Sequence, residues 1–421
     1  MRIALNEITS ALLKVKSLAS IQSKKTNINI MLDIGDSIKI CYCDNKNAVI
    51  EIVNAEVNED EKVGKIIVSY DTLMAIVNMC QPSGMITVSD IELVIKENGI
   101  IDISAEKYMS YSRTSGDDED AEEEKKVVSS IKQSINYFNP GDSIKYGTLS
   151  RMDYDSIFAG DNWDEWDKAE LVGLLTRLKK EENGIKNKIY VSKQMQAGFC
   201  SYREYLNWVP VTSAQDFGFS IESKLARVVT EILSKVADGA VYIASDERYC
   251  RIRNDDNTVG IWFEMEAANK MDMVKFTMMQ QKQFDDYIMI LDRFVTIDIL
   301  KSAIAIDNND NSVIAFKINN DGDLVLNINK KANNGSKVSD FDIVADAYVD
   351  KHASDEDESL KITQAKVNIT LTNLLEALNR GSERFIKLAV ELADESKFIK
   401  ITEILDDTPN EEKAIYYFTV Q

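Results

Sequence analysis

The chain has 421 residues, of which 44% are hydrophobic, and its 49 basic and 70 acidic side chains give a formal net charge of −21. This composition is enough for two or three hydrophobic cores, and the excess of acid argues against uniform coating of nucleic acid, although a local basic surface can still bind it. No stretch has the ~20 consecutive apolar residues of a membrane-spanning helix, and the polar Met1–Glu7 segment is unlike a signal peptide.

The cysteines do not suggest a disulfide framework, so we expect a reduced, cytoplasmic protein. Cys41 and Cys43 share one face of a predicted strand, but a zinc site would need further ligands there. The single histidine, His352, lies in a charged loop. We therefore predict no metal site and no cofactor.

The chain opens with one strand, one helix and three strands. The short strand is Met1–Leu5, and the helix that follows repeats its apolar residues on one face, at Ile8, Leu12, Val15 and Ala19. Three runs then alternate between apolar and polar residues, as strands do: they are Ile28–Ile34, Ser37–Cys43 and Ala48–Val57.

The same order of elements recurs immediately. A strand at Lys65–Tyr70 leads into a helix with Asp71 as its predicted N-cap, because an aspartate can accept a hydrogen bond from the first turn. Pro82–Gly84 ends this helix. The strands that follow are Met85–Val88, Glu92–Lys96 and Ile100–Ser104, with a further run at Lys107–Ser112.

Residues 113–163 have the weakest pattern in the chain. The acidic run Asp117–Glu124 is typical of a solvated loop. It is either a partner site or a spacer, and we favour a spacer. Val127–Phe138 is either a pair of strands or a linker, and Asn139–Asp142 is a predicted turn.

Two further units follow. Their helices are predicted over Asp164–Lys180, where acids precede bases as the helix dipole favours, and over Ser223–Val236. The accompanying strands are Lys188–Gln194, Phe199–Tyr205, Phe217–Ile221, Val241–Ser245, Tyr249–Asn254 and Val259–Glu264.

The last two units complete the series. In the fifth, a strand at Tyr287–Phe294 precedes a helix capped by Thr296 or Asp298. In the sixth, Thr372 is the predicted cap and Gly381 the predicted helix end. The strands of the two units are Val313–Ile318, Leu324–Ile328, Phe341–Val349, Lys366–Leu371, Phe385–Leu392, Phe398–Leu405 and Ala414–Val420.

These elements predict an α+β chain of six degenerate β-α-β-β-β units. The signature Ile66–Leu73 aligns with Gly218–Leu225 and with Asn368–Leu374. One unit is too small for a core of its own, so we expect units to pair, with helices together and antiparallel sheets outside. The predicted domains are 1–140, with an acidic insertion at 113–126, then 141–284 and 285–421.

This arrangement resembles the bacterial type of DNA sliding clamp, the beta subunit of the replicative DNA polymerase. The resemblance is strongest in Lys65–Ser104, Phe217–Glu264 and Val367–Gln421, and the chain departs from the family pattern at 113–163 and 333–360. It implies a DNA-clamp fold whose helices line a pore, in a divergent member for which a phage is the candidate source. It also implies a processivity factor that acts in the cytoplasm as a homodimeric ring around double-stranded DNA, without sequence specificity. Partners would be a replicative polymerase and a clamp loader, bound through short peptide motifs.

A pore for duplex DNA needs basic side chains that contact phosphates without reading sequence. The candidates are Lys14, Lys24, Lys25, Arg177, Lys180, Lys224, Arg227, Lys235, Lys301 and Arg380. The alternative is that these residues form ordinary solvated helix faces, because Glu231 and Glu376 interrupt the basic pattern.

The resemblance also implies an apolar pocket for partner peptides beside the C-terminal strand. The residues carried over to it are Tyr416, Phe418 and Val420, with Tyr202 and Leu206 opposite. The alternative is that the aromatic residues fill the core of the last sheet.

We do not predict an enzyme. A glycine-rich phosphate loop and a nucleophile elbow are absent, and one histidine leaves few catalytic triads possible. Asp307–Ser312 resembles the start of a calcium loop, but Ser312 and Ile318 replace the required glycine and glutamate. The competing function is a non-enzymatic acidic assembly or scaffold protein, built from the same repeats, that does not encircle DNA.

Overall fold

A computed structural model describes most of the chain. The described residues are 1–21, 28–58, 61–112, 123–141, 147–179, 188–192, 197–202, 205–211, 218–266, 270–282, 287–306, 311–318, 323–331, 337–350, 366–391, 397–405 and 408–420. They divide into two compact units, here called unit 1 (Met1–Thr176 and Lys224–Glu266) and unit 2 (Arg177–Ser223 and Ala267–Gln421). Within the described part, no helix has the length and apolar character needed to cross a membrane.

The helices of the described residues are α1 Leu5–Ala19, α2 Tyr70–Met79, α3 Gly147–Arg151, α4 Lys168–Leu178, α5 Ser223–Leu233, α6 Lys270–Gln281, α7 Arg293–Ile306 and α8 Leu371–Asn379. The strands before α5 are β1 Arg2–Ile3, β2 Asn29–Ile34, β3 Ile38–Cys43, β4 Asn47–Val53, β5 Ala55–Glu56, β6 Gly64–Ser69, β7 Ile86–Val88, β8 Ile91–Lys96, β9 Ile100–Ser112, β10 Glu123–Phe138, β11 Asp164–Asp167, β12 Lys188–Ser192, β13 Ala197–Tyr202, β14 Tyr205–Pro210 and β15 Gly218–Glu222. Those after α5 are β16 Ala240–Ser245, β17 Tyr249–Asn254, β18 Val259–Glu264, β19 Tyr287–Asp292, β20 Asn311–Ile318, β21 Leu324–Lys331, β22 Lys337–Val344, β23 Ala347–Asp350, β24 Lys366–Thr370, β25 Phe385–Glu391, β26 Lys397–Leu405 and β27 Thr408–Val420.

The predicted repeat is confirmed six times. Helices α1, α2, α4, α5, α7 and α8 each follow a strand directly and precede three strands. The pairing in every described ladder is antiparallel. The chain therefore has the predicted α+β class and unit order, while the three domain boundaries stay a prediction.

In unit 1, the described strands form one sheet of fourteen strands. Its order is β11-β16-β17-β18-β4-β3-β2-β6-β10-β9-β8-β1-β5, and β7 pairs with β9. The ambiguous Val127–Phe138 segment belongs to the single long strand β10, which pairs with β9. Most of the acidic run before it, residues 117–122, lies outside the described residues.

The first two helices of unit 1 pack against each other, and α1 also lies on β3 and β4. Burial of Ile8, Leu12 and Val15 agrees with the predicted inner face. The predicted cap of α2 is wrong by two positions. Ser69 is the N-cap, and its Oγ accepts from the amide of Thr72 at 3.4 Å, because the helix already begins at Tyr70.

Residues 147–158 cover one face of the sheet in unit 1. Leu149, Tyr154 and Ile157 are buried in a hydrophobic cluster with residues of β2, β3, β4 and β6. Gly260 on β18 allows this close approach, because a Cβ there would lie 2.7 Å from the Cγ2 of Ile157 and 2.9 Å from that of Ile50. No clear helix or strand was predicted for this segment, since its buried residues are irregularly spaced.

The predicted Asp164–Lys180 helix is wrong at its start. Asp164–Asp167 is β11, which pairs with β16, and α4 begins at Lys168. Likewise, the strand predicted at Phe199–Tyr205 is split between β13 and β14. Strand β11 has one apolar residue, Trp166, among three acidic ones. It therefore lacks the alternation of apolar and polar residues by which the other strands were predicted.

In unit 2, the described strands form two sheets. The larger has the order β15-β12-β13-β14-β27-β26-β25-β19-β23, and the smaller has the order β22-β21-β20-β24. The C-terminal strand β27 lies between β26 and β14, so the strand opposite Leu206 is the last strand of the chain.

Helices α7 and α8 pack together over a core that includes Leu291, Leu300, Leu374 and Leu378. The predicted caps of both helices are wrong, because each helix begins earlier than its polar candidate. Helix α7 starts at Arg293, ahead of Thr296 and Asp298, and α8 starts at Leu371, ahead of Thr372. The side chain of Asp292 caps α7 by accepting from the amides of Phe294 (2.9 Å) and Val295 (3.2 Å).

Helix α6 is an element that the sequence pattern did not predict. Its apolar residues lie on both faces: Phe276 and Met279 are buried, whereas Val274 and Met278 are 52% and 54% exposed. A helix without one apolar stripe has no clear periodic signal.

Candidate DNA-binding residues and partner pocket

Helix α5 supplies the best-defined row of predicted DNA-binding residues. Its apolar side is buried in unit 1, through Val228, Val229 and Ile232. Lys224 and Arg227 lie on the other side and are partly exposed, as is Lys235 in the turn after the helix.

The row on α5 is bound to the end of α1. Lys224 Nζ donates to the carbonyl of Ile21 at 2.8 Å, and Lys235 Nζ lies 3.0 Å from Ser17 Oγ and 3.2 Å from Glu231 Oε1. The Ser17 hydroxyl also bonds Glu231 at 2.8 Å, and it is the main cause of the lowered pKa of that carboxyl, with Lys235 adding to it. The row therefore joins two helices, and Glu231 neutralises part of its charge.

Lys14 does not lie where the sequence placed it. Its side chain is 3% exposed, and Nζ donates to Glu51 Oε1 at 2.7 Å and to Ser10 Oγ at 2.8 Å. Burial raises the pKa of the Glu51 carboxyl, and the Lys14 ammonium opposes that rise. A lysine enclosed in this way is a structural ion pair, and it has no free surface for a phosphate.

The remaining candidate lysines lie outside α5. Lys301 lies in α7 and is exposed, and no described residue is recorded as its polar partner. Lys24, Lys25 and Lys180 lie outside the described residues.

Arg177 and Arg380 take part in a polar network inside unit 2. Arg177 donates to Glu403 Oε2 and to Ser382 Oγ, each at 3.0 Å. Arg380 donates to the Arg177 carbonyl at 3.1 Å and to Glu376 Oε1 at 2.6 Å. Both guanidinium groups are mostly covered, at 18% and 17% exposed.

Glu403 is the centre of that network, and no pattern in the sequence predicted this role. Its side chain is 2% exposed, and its Oε1 accepts from the backbone amides of Ser382 and Glu383. Gly381 leaves the space for this carboxylate, because a Cβ there would collide with Oε1.

Arg293 completes the same loop from the other side. It is 6% exposed, and its guanidinium donates to the carbonyls of Leu378 (3.0 Å), Ser382 and Glu383. Carbonyls at the end of a helix lack partners within it, so Arg293 satisfies the last turn of α8. From the sequence alone, Arg293 and Glu403 would be predicted to lie on the surface, because both are charged. The partners that allow their burial lie far away along the chain.

Unit 1 also has an open groove of about 560 Å³ at the start of α1. Its lining is mainly apolar and uncharged polar, and Lys235 is the lysine at its border. The lining residues are Ala4, Leu5, Asn6, Thr9, Ser10, Leu13, Gln81, Pro82, Val88, Ser89, Asp90 and Lys235.

The backbone of unit 2 brings the predicted pocket segments together. Strand β14 pairs with β27 so that Tyr205 lies opposite Phe418, and Leu206 opposite Tyr417. Among the predicted residues, Leu206 has a described side chain, and it is fully buried. Tyr202, Tyr416, Phe418 and Val420 are placed by their strands, with their side chains outside the described part.

Leu206 belongs to an apolar cluster that helix α6 covers. The cluster consists of Tyr190, Ala197, Phe199, Leu206, Phe276 and Met279, with Trp208 and Met273 at its border. Its aromatic rings are stacked: Phe199 lies 4.4 Å from Phe276 and 5.1 Å from Tyr190, centre to centre. The apolar face that Leu206 shares with Phe199 is therefore covered by α6.

Comparison with known proteins identifies the fold. No family model matches the sequence, and no curated protein matches it. The structure, in contrast, matches solved structures along its whole length. The chain has the fold of the bacterial DNA polymerase sliding clamps.

Three of these structures show the extent of the match. The beta subunit from DNA polymerase of Streptococcus pyogenes superposes with a TM-score of 0.70 at 11% identity, covering 100% of this chain and 99% of that one. The DNA polymerase III beta subunit of Thermotoga maritima gives 0.67 at 12%, and the sliding clamp of Bacillus subtilis 0.66 at 14%, each with 100% and 98% coverage. The resemblance predicted from the repeat is confirmed at the level of the fold.

Proposed function

We propose that the protein is a sliding clamp that encircles double-stranded DNA without sequence specificity and tethers a replicative polymerase. The single observation that supports this most is the match of the entire chain to bacterial clamps, including all six repeats. Two copies would close a homodimeric ring, because cyclic closure leaves no strand edge unpaired between subunits.

The charge distribution is compatible with sliding. The chain is strongly acidic as a whole, so cations collected on one side would orient DNA by local attraction, while the remaining surface repels it. The residues that we propose to contact phosphates are Lys224, Arg227, Lys235 and Lys301, together with Lys24, Lys25 and Lys180. Lys14, Arg177 and Arg380 are left out, because their paired side chains are only 3%, 18% and 17% exposed. Lys235 is also paired but is 27% exposed, so it is kept.

Partner binding is proposed for unit 2. A polymerase and a clamp loader would each insert a short apolar peptide beside β27 and β14, where the register aligns Tyr416 and Phe418 with Asn207 and Tyr205. This function needs no reaction at the protein itself, so we propose a non-enzymatic factor without cofactor. It would act in the cytoplasm, which is that of the host if a phage encodes it.

Neutralisation of the α5 row tests the contact with DNA. We expect the triple variant Lys224→Gln, Arg227→Gln and Lys235→Gln to bind nicked circular DNA with a weaker salt dependence. Each lost phosphate contact lowers the slope of log K against log salt by about 0.9. The measurement is retention on the DNA during gel filtration at increasing NaCl.

A matched control is Lys132→Gln, on strand β10, whose side chain is exposed. It should leave the salt slope unchanged. A triple variant that folds and dimerises as before, yet keeps the full slope, would contradict the assignment of α5 to the DNA.

The acidic scaffold remains the second candidate, because one observation favours it. Lys14, Arg177, Lys235 and Arg380 each pair with a carboxylate, as expected if they serve structure alone. A scaffold of this kind would show no salt-dependent retention on DNA, so the same experiment separates the two functions.

A further inference from the structure

Helix α6 covers the apolar surface on β13 and β14 with the side chains of Phe276 and Met279. Phe276 stacks on Phe199 with ring planes 8° apart, and its ring centre lies 6.0 Å from that of Trp208. Met279 is buried three residues later, and Met273 is partly buried one turn earlier. An aromatic and a methionine at i and i+3 are the kind of anchors with which short helices bind apolar grooves.

The rest of α6 is poorly suited to a permanent core element. Val274 and Met278 are more than half exposed on the side away from the cluster. Four of its twelve residues are methionines, whose flexible side chains fit many surfaces and specify none closely. Within the described part of α6, Phe276 and Met279 are the residues that are fully buried.

A polar group in the cluster is left without a partner when α6 is in place. Trp208 Nε1 is buried, and no acceptor among the described residues bonds it. A buried donor without an acceptor is unfavourable, and buried tryptophans normally find one. The fit of α6 is therefore incomplete, and a ligand that offers a carbonyl or carboxylate oxygen at this point would fit better.

The position of α6 coincides with the pocket proposed for partners. Leu206, one of the pocket residues, is fully enclosed in the cluster with Phe276 and Met279. The strand that carries it pairs directly with the C-terminal strand. Any peptide that reaches Leu206 has to replace α6.

We propose that α6 is an internal occupant of a docking surface, and that a partner's short helical peptide displaces it. This proposal rests on the proposed clamp function, because it presupposes a partner peptide. The chemistry of the peptide follows from the segment it replaces. It has an aromatic residue and an unbranched apolar residue three positions later.

An acidic residue four positions before the aromatic one belongs to the same pattern. In α6 this is Asp272, whose Oδ2 accepts from the Tyr190 hydroxyl at 3.4 Å. A peptide that keeps these three groups and adds an acceptor for Trp208 Nε1 reproduces the contacts of Asp272, Phe276 and Met279 and makes one more. The partner's peptide binds only those molecules in which α6 has left the surface. Its apparent dissociation constant is therefore the intrinsic constant divided by the fraction of molecules with an open surface.

The test uses a fluorescein-labelled synthetic peptide with the sequence of residues 270–281, added to the full chain. In the double variant Phe276→Ala, Met279→Ala, the chain's own helix loses both anchors and the surface becomes free. We expect the peptide to bind this variant at least about tenfold more tightly than the wild type, if the wild-type surface is open in a tenth of molecules or fewer. Fluorescence anisotropy measures both affinities.

The matched control removes the exposed apolar residues of the same helix. The variant Val274→Ala, Met278→Ala should bind the peptide as weakly as the wild type, and a peptide carrying Phe276→Ala should bind none of the three chains. Equal affinity of the peptide for the wild type and both variants would overturn the proposal. So would absence of binding to a double variant that unfolds as cooperatively as the wild type.

Hydrogen exchange on the wild type provides a second measurement that requires no variant. Excess unlabelled peptide should speed exchange of the α6 amides at least about tenfold, because the displaced helix loses its packing. Exchange of α6 at the rate of global unfolding, with or without peptide, would overturn the proposal. Neither experiment contains DNA, so failure here is distinct from failure of the clamp function.

Discussion

At the scale of single residues, Glu403 receives most of the polar contacts at the end of α8. It accepts from a guanidinium of α4 and from two backbone amides, while Arg293 satisfies the carbonyls of the same turn. The net effect is that a loop between α8 and β25 is held by charged groups that are almost fully buried.

We expect Glu403→Ala to destabilise the chain by about 3 kcal/mol, because removal of one partner of a buried pair leaves the other partner uncompensated. The measurement is urea denaturation of the full chain. Glu376→Gln is the control, since Glu376 is 37% exposed and also pairs with an arginine. Its cost should stay below about 1 kcal/mol, and an equal cost for the two variants would contradict the role of Glu403.

The basic residues of the helices were predictable, but their partners were not. Arg177 was identified by its place late in a helix, yet its partner lies 226 residues away along the chain. Lys14 was predicted to contact phosphates because it is a basic residue of a repeat helix, but Glu51 makes its burial possible. Pairs that form only on folding leave no trace in local spacing.

At the scale of elements, the order of the repeats followed from periodicity, but their boundaries did not. Alternation and the apolar stripes specified six strand-helix-strand units because those patterns depend on neighbouring positions. Helix starts were placed too late in α2, α7 and α8, since the capping residue is the last residue of the preceding strand in α2 and α7. Helix α6 and the segment 147–158 were not predicted, because their few buried apolar residues do not recur at the regular spacing of a helix or a strand.

The cap of α7 gives a prediction that depends on pH. Arg384, at 2.9 Å, is the main cause of the lowered pKa of Asp292, and the amides of Val295 and Phe294 lower it further. An acid whose pKa is lower in the folded state stabilises it above the unfolded pKa, near 3.8, and this contribution disappears as pH falls through the folded pKa.

We therefore expect Asp292→Ala to cost about 1 kcal/mol at pH 7 and progressively less as the pH falls below about 4. Urea denaturation across that range measures the difference from wild type. Asp298→Ala, on the exposed side of the same helix, is the control and should cost almost nothing at either pH. A pH-independent difference for Asp292→Ala would show that the charged form of Asp292 does not stabilise the helix start.

At the scale of the whole molecule, we propose that a strongly acidic chain works as a clamp on DNA. Its fold is that of bacterial clamps over its entire length, although identity is only 11% to 14% in the structures compared. The same order of repeats can persist at such low identity, because each repeat depends on where its apolar residues lie and not on which apolar residues they are. The proposed function depends on a topological link with DNA, and such a link can be measured directly.

The most direct measurement compares retention on circular and linear DNA. The chain is incubated with nicked circular DNA, isolated with it by gel filtration, and then treated with a restriction enzyme that cuts the circle once. A ring that encircles DNA stays on the circle at salt concentrations that weaken phosphate contacts, and leaves after linearisation because it slides off the ends. Equal retention on both forms would contradict the clamp function.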